Sequence, residues 1–162
     1  MKNNDILRRV RYIFDFGDSK MMNIFSEGGM PVTRAKVSDW LKRDDDPAAV
    51  ECSDKELAIF LSGLIITKRG AKDSTPPEPE KSLNNNIIFR KLKIALDMKA
   101  DDIIDVFNLV DFQISKSELS AFFRKVGHRN YKKCRDQILR KFLKGLQVKY
   151  RPIVDEPVES SS

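Results

Sequence analysis

Cysteine and histidine are almost missing from this chain of 162 residues, which has two Cys, Cys52 and Cys134, and one His, His128. A zinc site needs about four ligands of these types, so the sequence predicts no metal centre. Two Cys in a chain this long form no disulfide framework, and neither has a CxxC partner. Each reads as a small, half-buried residue just before a helix. A Ser-His-Asp or Cys-His site would have to use His128, which lies in a basic stretch with no acid nearby in sequence. No glycine-rich strand-to-helix turn is present to cradle a nucleotide phosphate. Asp44-Asp45-Asp46 lacks the spaced ligands and glycine of a calcium loop and reads as a solvated acidic loop. The expectation is a non-enzymatic protein without cofactor or metal.

Long apolar runs are missing too. Stretches such as Gly63-Leu64-Ile65-Ile66 fall far short of the about 20 residues that cross a bilayer. No apolar stretch of signal-peptide type follows Met1. The chain therefore reads as cytoplasmic, without membrane contact. No strand-type alternation is long enough to argue for a sheet. Apolar residues make up 41% of the chain and charged residues 33%, enough for a core inside a well-solvated surface.

What the chain does have is a repeat. Residues 4–69 slide forward by 82 positions onto residues 86–151 without a gap. Asn4 meets Asn86, Arg8 meets Arg90, Asp15 meets Asp97, Cys52 meets Cys134, Asp54 meets Asp136 and Arg69 meets Arg151. Phe60-Leu61-Ser62-Gly63-Leu64 meets Phe142-Leu143-Lys144-Gly145-Leu146, and apolar pairs such as Trp40/Phe122 and Leu57/Leu139 match as well. A constant offset over a domain length implies two copies of one unit. The predicted organisation is a helical repeat at 1–70, a Pro-rich linker at 71–84, a second, basic repeat at 85–152 and a disordered acidic tail at 153–162. At near 68 residues each copy is marginal alone, so the halves are expected to pack on each other, with a homodimer as a further option.

Each copy reads as four short helices, which makes the protein all-α. The first, about 5–15 and 87–97, has Ile6, Val10, Ile13 and Phe14, then Ile88, Leu92, Ala95 and Leu96, on one face. The second spans about 18–27 and 100–109. The third opens at Thr33 or Ser115, both good N-caps, and runs to Leu41 or Phe123. The fourth spans about 54–67 and 136–149. Ser53-Asp54-Lys55-Glu56 and Ser115-Lys116-Ser117-Glu118 have the form of capping boxes. Asp15 and Asp97 are expected to satisfy backbone at the end of helix one. Gly63 and Gly145 interrupt helix four at the same point in both copies, although glycine there costs about 1 kcal/mol relative to Ala. A second backbone passing close by is the predicted reason. The linker, with three prolines among residues 76–79, should be extended and exposed.

The repeated residues also carry a resemblance. They include Asn3 to Tyr12, Val37 to Lys42, Glu51-Cys52-Ser53-Asp54, Phe60 to Ile66, Glu118 to Lys125 and Phe142 to Gln147. In motif and order these are similar to the YehS-like bacterial family of domains of unknown function, over about residues 1–152. The resemblance implies a small cytoplasmic bacterial protein with a doubled domain. It implies no established activity, substrate or catalytic residue.

Charge separates the two copies. Residues 1–70 hold 12 Lys+Arg against 11 Asp+Glu, a net +1, while residues 84–152 hold 16 against 7, a net +9. Such asymmetry points to an anionic partner. Helix two, the turn and helix three resemble a helix-turn-helix, with Lys116 on the second copy's outer face. Beyond it, Arg124-Lys125-Val126-Gly127-His128-Arg129-Asn130-Tyr131-Lys132-Lys133 has five Lys or Arg in ten residues, suited to phosphates and a base. The candidate nucleic-acid contacts are Lys116, Arg124, Lys125, His128, Arg129, Asn130, Tyr131, Lys132 and Lys133. The alternative is a protein-interaction module whose basic face meets an acidic protein.

Overall fold

A computed structural model describes residues 1–70 and 76–151. Residues 71–75 of the linker and the expected disordered tail at 153–162 lie outside the described residues. Among the described residues there are eight helices and no strand. The first repeat holds α1 (Asn3–Phe14), α2 (Asp18–Glu27), α3 (Arg34–Leu41) and α4 (Asp54–Arg69). The second holds α5 (Asn85–Ala95), α6 (Ala100–Asn108), α7 (Lys116–Ala121) and α8 (Asp136–Tyr150). The protein is all-α, built from two tandem four-helix repeats.

Local chemistry sets the ends of these helices. The Ser53 hydroxyl accepts from Glu56 N–H at 3.1 Å while Glu56 accepts from Ser53 N–H at 2.9 Å, and Ser115 and Glu118 repeat the exchange. Asn84 caps α5 by accepting from Ile87 N–H at 2.9 Å, so α5 begins about two residues before the periodicity indicated, and α1 begins equally early without a side-chain cap. Asp15 (φ 54°) and Asp97 (φ 52°) end α1 and α5 in the left-handed region, a conformation that Asp tolerates better than most residues. α7 ends at Ala121 instead of Phe123, because Phe122 and Phe123 turn inward to meet Phe89.

Each repeat closes around aromatic rings. Phe25 stacks on Trp40 at 4.9 Å and meets Phe60 at 5.0 Å, and in the second copy Phe89 and Phe142 lie 4.6 Å apart. α2 packs on α4, and α6 on α8. At these crossings Gly63 faces the Ile24 carbonyl and Gly145 the Val106 carbonyl, where an added Cβ would fall on the carbonyl oxygen. Both backbones belong to the glycine's own repeat.

The two repeats grip each other reciprocally. α4 packs on α5, and α8 on α1. Arg69 Nη1 donates to Ile94 O and Asp97 Oδ1, and its counterpart Arg151 Nη1 donates to Tyr12 O and Asp15 Oδ1. Leu83 N–H donates to Asp54 Oδ2 at 2.9 Å, while the amino terminus of Met1, 82 positions earlier, donates to Asp136 Oδ2 at 2.7 Å. Contacts that exchange partners in this way are the signature of an isologous, two-fold interface, formed here within one chain.

The symmetry is incomplete. Ala58, Ile59 and Ser62 of α4 are buried, whereas their counterparts on α8, Arg140, Lys141 and Lys144, keep a charged outer side. The linker is exposed at Pro77, Glu78, Lys81 and Ser82, as expected, but not along its whole described length. Residues 76–83 run back from Pro76, beside Gly29, to Leu83 at the start of α4. They must do so because α5 begins near the N-terminal end of α4. Pro79, Glu80 and Leu83 are half-buried on the way, with Glu80 3.1 Å from Lys91 Nζ.

The paired clasps carry a pH dependence. Asn3 and then Leu83 N–H hold the Asp54 carboxyl below its ordinary value of 3.8. The chain's amino terminus and Asn85 do the same for Asp136. Each carboxyl is harder to protonate folded than unfolded, so each contributes stability above about pH 4 that is lost as pH falls through the lowered values. Melting temperature should therefore drop between pH 5 and pH 3, and drop less steeply when Asp54→Asn and Asp136→Asn are combined. Equal slopes would show that these two groups do not carry the acid sensitivity.

Candidate nucleic-acid interface

Two asparagines of α5 fasten the loop between α7 and α8. Asn86 is buried. Its amide donates to Phe122 O at 3.0 Å and Lys132 O at 2.9 Å, and its oxygen accepts from Cys134 N–H at 2.9 Å. Asn85 donates to Cys134 O and Asp136 Oδ1. Lys132 N–H closes the loop on Ala121 O at 3.0 Å. Asn3 and Asn4 hold the first repeat's loop in the matched way. The basic loop is therefore a pinned shelf on the start of α5.

A shallow depression of about 130 Å³ lies between the two. α5 and its cap contribute Asn84, Asn86, Ile87 and Arg90, and the loop contributes Phe122, Arg124, Lys125, Val126 and Tyr131. Ile87, Phe122, Val126 and Tyr131 give it an apolar lining, and Arg90, Arg124 and Lys125 give it three cations. Arg90 Nη2 donates to Phe123 O at 2.7 Å. Val126, at the loop tip, is 79% exposed. Gly127 beside it takes φ +93°, a left-handed turn that the matched Asp45 of the first repeat does not take.

The same place in the first repeat is neutralised. Arg8, the counterpart of Arg90, pairs with Asp5 and lies 3.5 Å from Asp44, which also pairs with Lys2. The second repeat has Ile87 where Asp5 stands and Val126 where Asp44 stands. Two carboxylates have given way to two aliphatic side chains, and Arg90 bonds a neutral carbonyl, Phe123 O, where Arg8 has Lys42 O together with the two carboxylates.

Of the nine residues singled out by sequence, Arg124, Lys125 and Tyr131 line the depression. Arg129, Lys132 and Lys133 are exposed along the same loop. His128 and Asn130 build its turn, with His128 Nδ1 accepting from Asn130 N–H at 3.0 Å. Asp46 makes the matched turn by accepting from Ala48 N–H. Lys116 stands apart on α7, 3.0 Å from Asp101. Sequence reasoning passed over Ile87 and Arg90. The signal was in the 82-residue offset, read at positions 5 and 44 instead of at the basic run alone.

Among the described residues no three of His, Cys, Asp and Glu come together to hold a metal ion. Burial pushes the Cys52 thiol up to about 12, with Glu56 and Asp54 adding to the effect, and burial followed by Asp136 raises Cys134 to about 12. A thiol held protonated is a poor nucleophile. Among the described residues no helix is long and apolar enough to cross a membrane.

Comparison with known proteins places the doubled unit. A family model described as "Protein of unknown function (DUF1456)" matches residues 3–70 and again residues 85–151. "Uncharacterized protein YehS" of Escherichia coli (strain K12) is 41% identical over 147 residues, covering 90% of this chain and 94% of the relative. No solved structure matches.

Proposed function

The chain belongs to the family of proteins of unknown function DUF1456, and on that doubled scaffold we propose that the second repeat is a non-enzymatic nucleic-acid-binding surface in the cytoplasm. The observation that carries this reading is the loss of carboxylates around Arg90 relative to Arg8. The fold is the same, the arginine is retained, and Asp5 and Asp44 are replaced by Ile87 and Val126. Arg124, Lys125, Arg129, Lys132 and Lys133 then stand on a loop pinned by Asn86. A loop whose backbone is already held loses little backbone freedom on binding, and clustered Lys and Arg gain from counterion release on a phosphate backbone. The first repeat, nearly neutral, serves as the scaffold that α5 and α8 pack against.

Fluorescence anisotropy of duplex DNA and of a structured RNA with unpaired loops tests this. Affinity should fall about a hundredfold or more between about 50 and 200 mM salt, the loss expected for five phosphate contacts. A variant with Arg124, Lys125, Arg129, Lys132 and Lys133 all changed to Ala should bind at least about tenfold more weakly at the lower salt and show a shallower salt slope. Absence of binding by the wild type at low salt, or equal binding by both proteins, would remove nucleic acid as the ligand. The basic face would then be assigned to an acidic protein partner.

A further inference from the structure

The charge of the second repeat accounts for contact with any polyanion, but it does not account for the apolar residues that line the depression beside the cations. A surface that only tracked phosphates would gain nothing from Val126 at 79% exposure, or from a ring-sized depression backed by Ile87 and Tyr131. Pockets for whole cofactors run to about 300–1,000 Å³, whereas this one is about 130 Å³, space for a single ring system. A duplex presents phosphates and sugars outward and keeps its base faces stacked, so it would touch the cations and leave the apolar lining uncovered. An unpaired base offers both parts at once, a flat apolar face for the lining and a flanking phosphate for the cations.

Resting on the nucleic-acid reading above, we propose that the depression between the first turn of α5 and the α7–α8 loop takes one unpaired base of single-stranded nucleic acid, with the adjoining phosphate held by Arg90, Arg124 and Lys125. The base lies against Val126 and Tyr131. The first repeat cannot do this. At the matched positions it has Asp44 in place of Val126 and Ala49 in place of Tyr131, so it offers a carboxylate to the phosphate and no ring to the base. Gly127 allows the tight turn that carries Val126 out at the tip of the loop. Asn86 fixes the two walls relative to each other before any ligand arrives.

The test uses the full chain and two fluorescein-labelled probes, a 12-nucleotide thymidine strand and a hairpin with a G·C-rich stem of about 12 base pairs, which stays paired at about 50 mM salt. Wild type should bind the single strand about tenfold or more tightly than the hairpin. Val126→Asp, which restores the first repeat's residue, and Tyr131→Ala should each weaken single-strand binding by about 5- to 100-fold, the range of one lost base contact. Both should change hairpin binding much less. Val126 is exposed at a loop tip, so Val126→Asp should melt at the wild-type temperature, and Val126→Ala separates the loss of apolar contact from the added charge. Equal affinity of wild type for the two probes, or equal loss on both in the variants, overturns the base pocket and leaves the electrostatic reading standing. No binding of either probe by wild type overturns both.

Discussion

Replacing Gly63 by leucine is expected to lower the melting temperature by about 6–12 °C, a loss of about 3 kcal/mol for a protein of this size. Gly63 sits on α4 where α2 crosses it, and its Cα faces the Ile24 carbonyl so closely that even a Cβ has no place. The carbonyl has no freedom to retreat, because it accepts from Gly28 N–H at 3.1 Å and so closes the last turn of α2. Added bulk must therefore separate two helices or break that turn. Helix propensity works in the opposite direction by up to about 1 kcal/mol. The sign of the measured change decides which effect dominates. Gly145→Leu repeats the test in the second copy, where the facing group is the Val106 carbonyl. Differential scanning calorimetry on both variants reads the result. Unchanged or raised melting temperatures would mean that α2 and α6 shift aside at no cost.

Asn4→Ala and Asn86→Ala should each be as damaging, for the opposite reason. These side chains fill no large volume, but each makes three hydrogen bonds in a buried position. Removing the Asn4 amide leaves the Trp40 and Val50 carbonyls and the Cys52 N–H without their partner. An unsatisfied buried group costs about 1–3 kcal/mol, and the three together set a loss of about 3–5 kcal/mol once water reaches the most exposed of them. Urea denaturation should show a lower midpoint with an unchanged slope. Amide exchange at Cys52 in one variant and Cys134 in the other should speed up most, because those N–H groups lose their acceptor. Midpoints equal to wild type would show that the loops hold without their asparagines. Asn86→Ala should also weaken nucleic-acid binding while leaving every cation in place, since the basic loop loses its attachment to α5.

Fold class and doubling were legible because both are periodic properties. A helix face repeats every three or four residues, and the second copy repeats the first at one constant offset, so Ile6, Val10 and Ile13 announce the same surface as Ile88, Leu92 and Ala95. The capping boxes at Ser53 and Ser115 were legible because their partners lie three residues away. Asn4 and Asn86 were visible as matched residues, but their work was not. Their partners lie 36 to 48 residues further along the chain, and nothing local says which distant carbonyl a side chain will meet.

Charge excess was likewise a property of the sequence by itself, as was the basic run from Arg124 to Lys133. Which cations converge was decided by tertiary structure. The 82-residue offset determined that there are two repeats, the apolar periodicity that they are helical, and the count of Lys and Arg that the second is strongly basic. Packing decided that Arg69 and Arg151 cross to the opposite repeat, that Gly63 and Gly145 face carbonyls of their own repeat, and that Arg90 joins Arg124 and Lys125 in one depression with an apolar lining while Lys116 stands apart with Asp101. The division has a physical cause. Helix formation and net charge are sums over neighbouring residues, whereas a site is a meeting of groups distant in sequence, fixed only when the core around Phe89 and Phe142 closes and sets the angle at which α5 meets the loop.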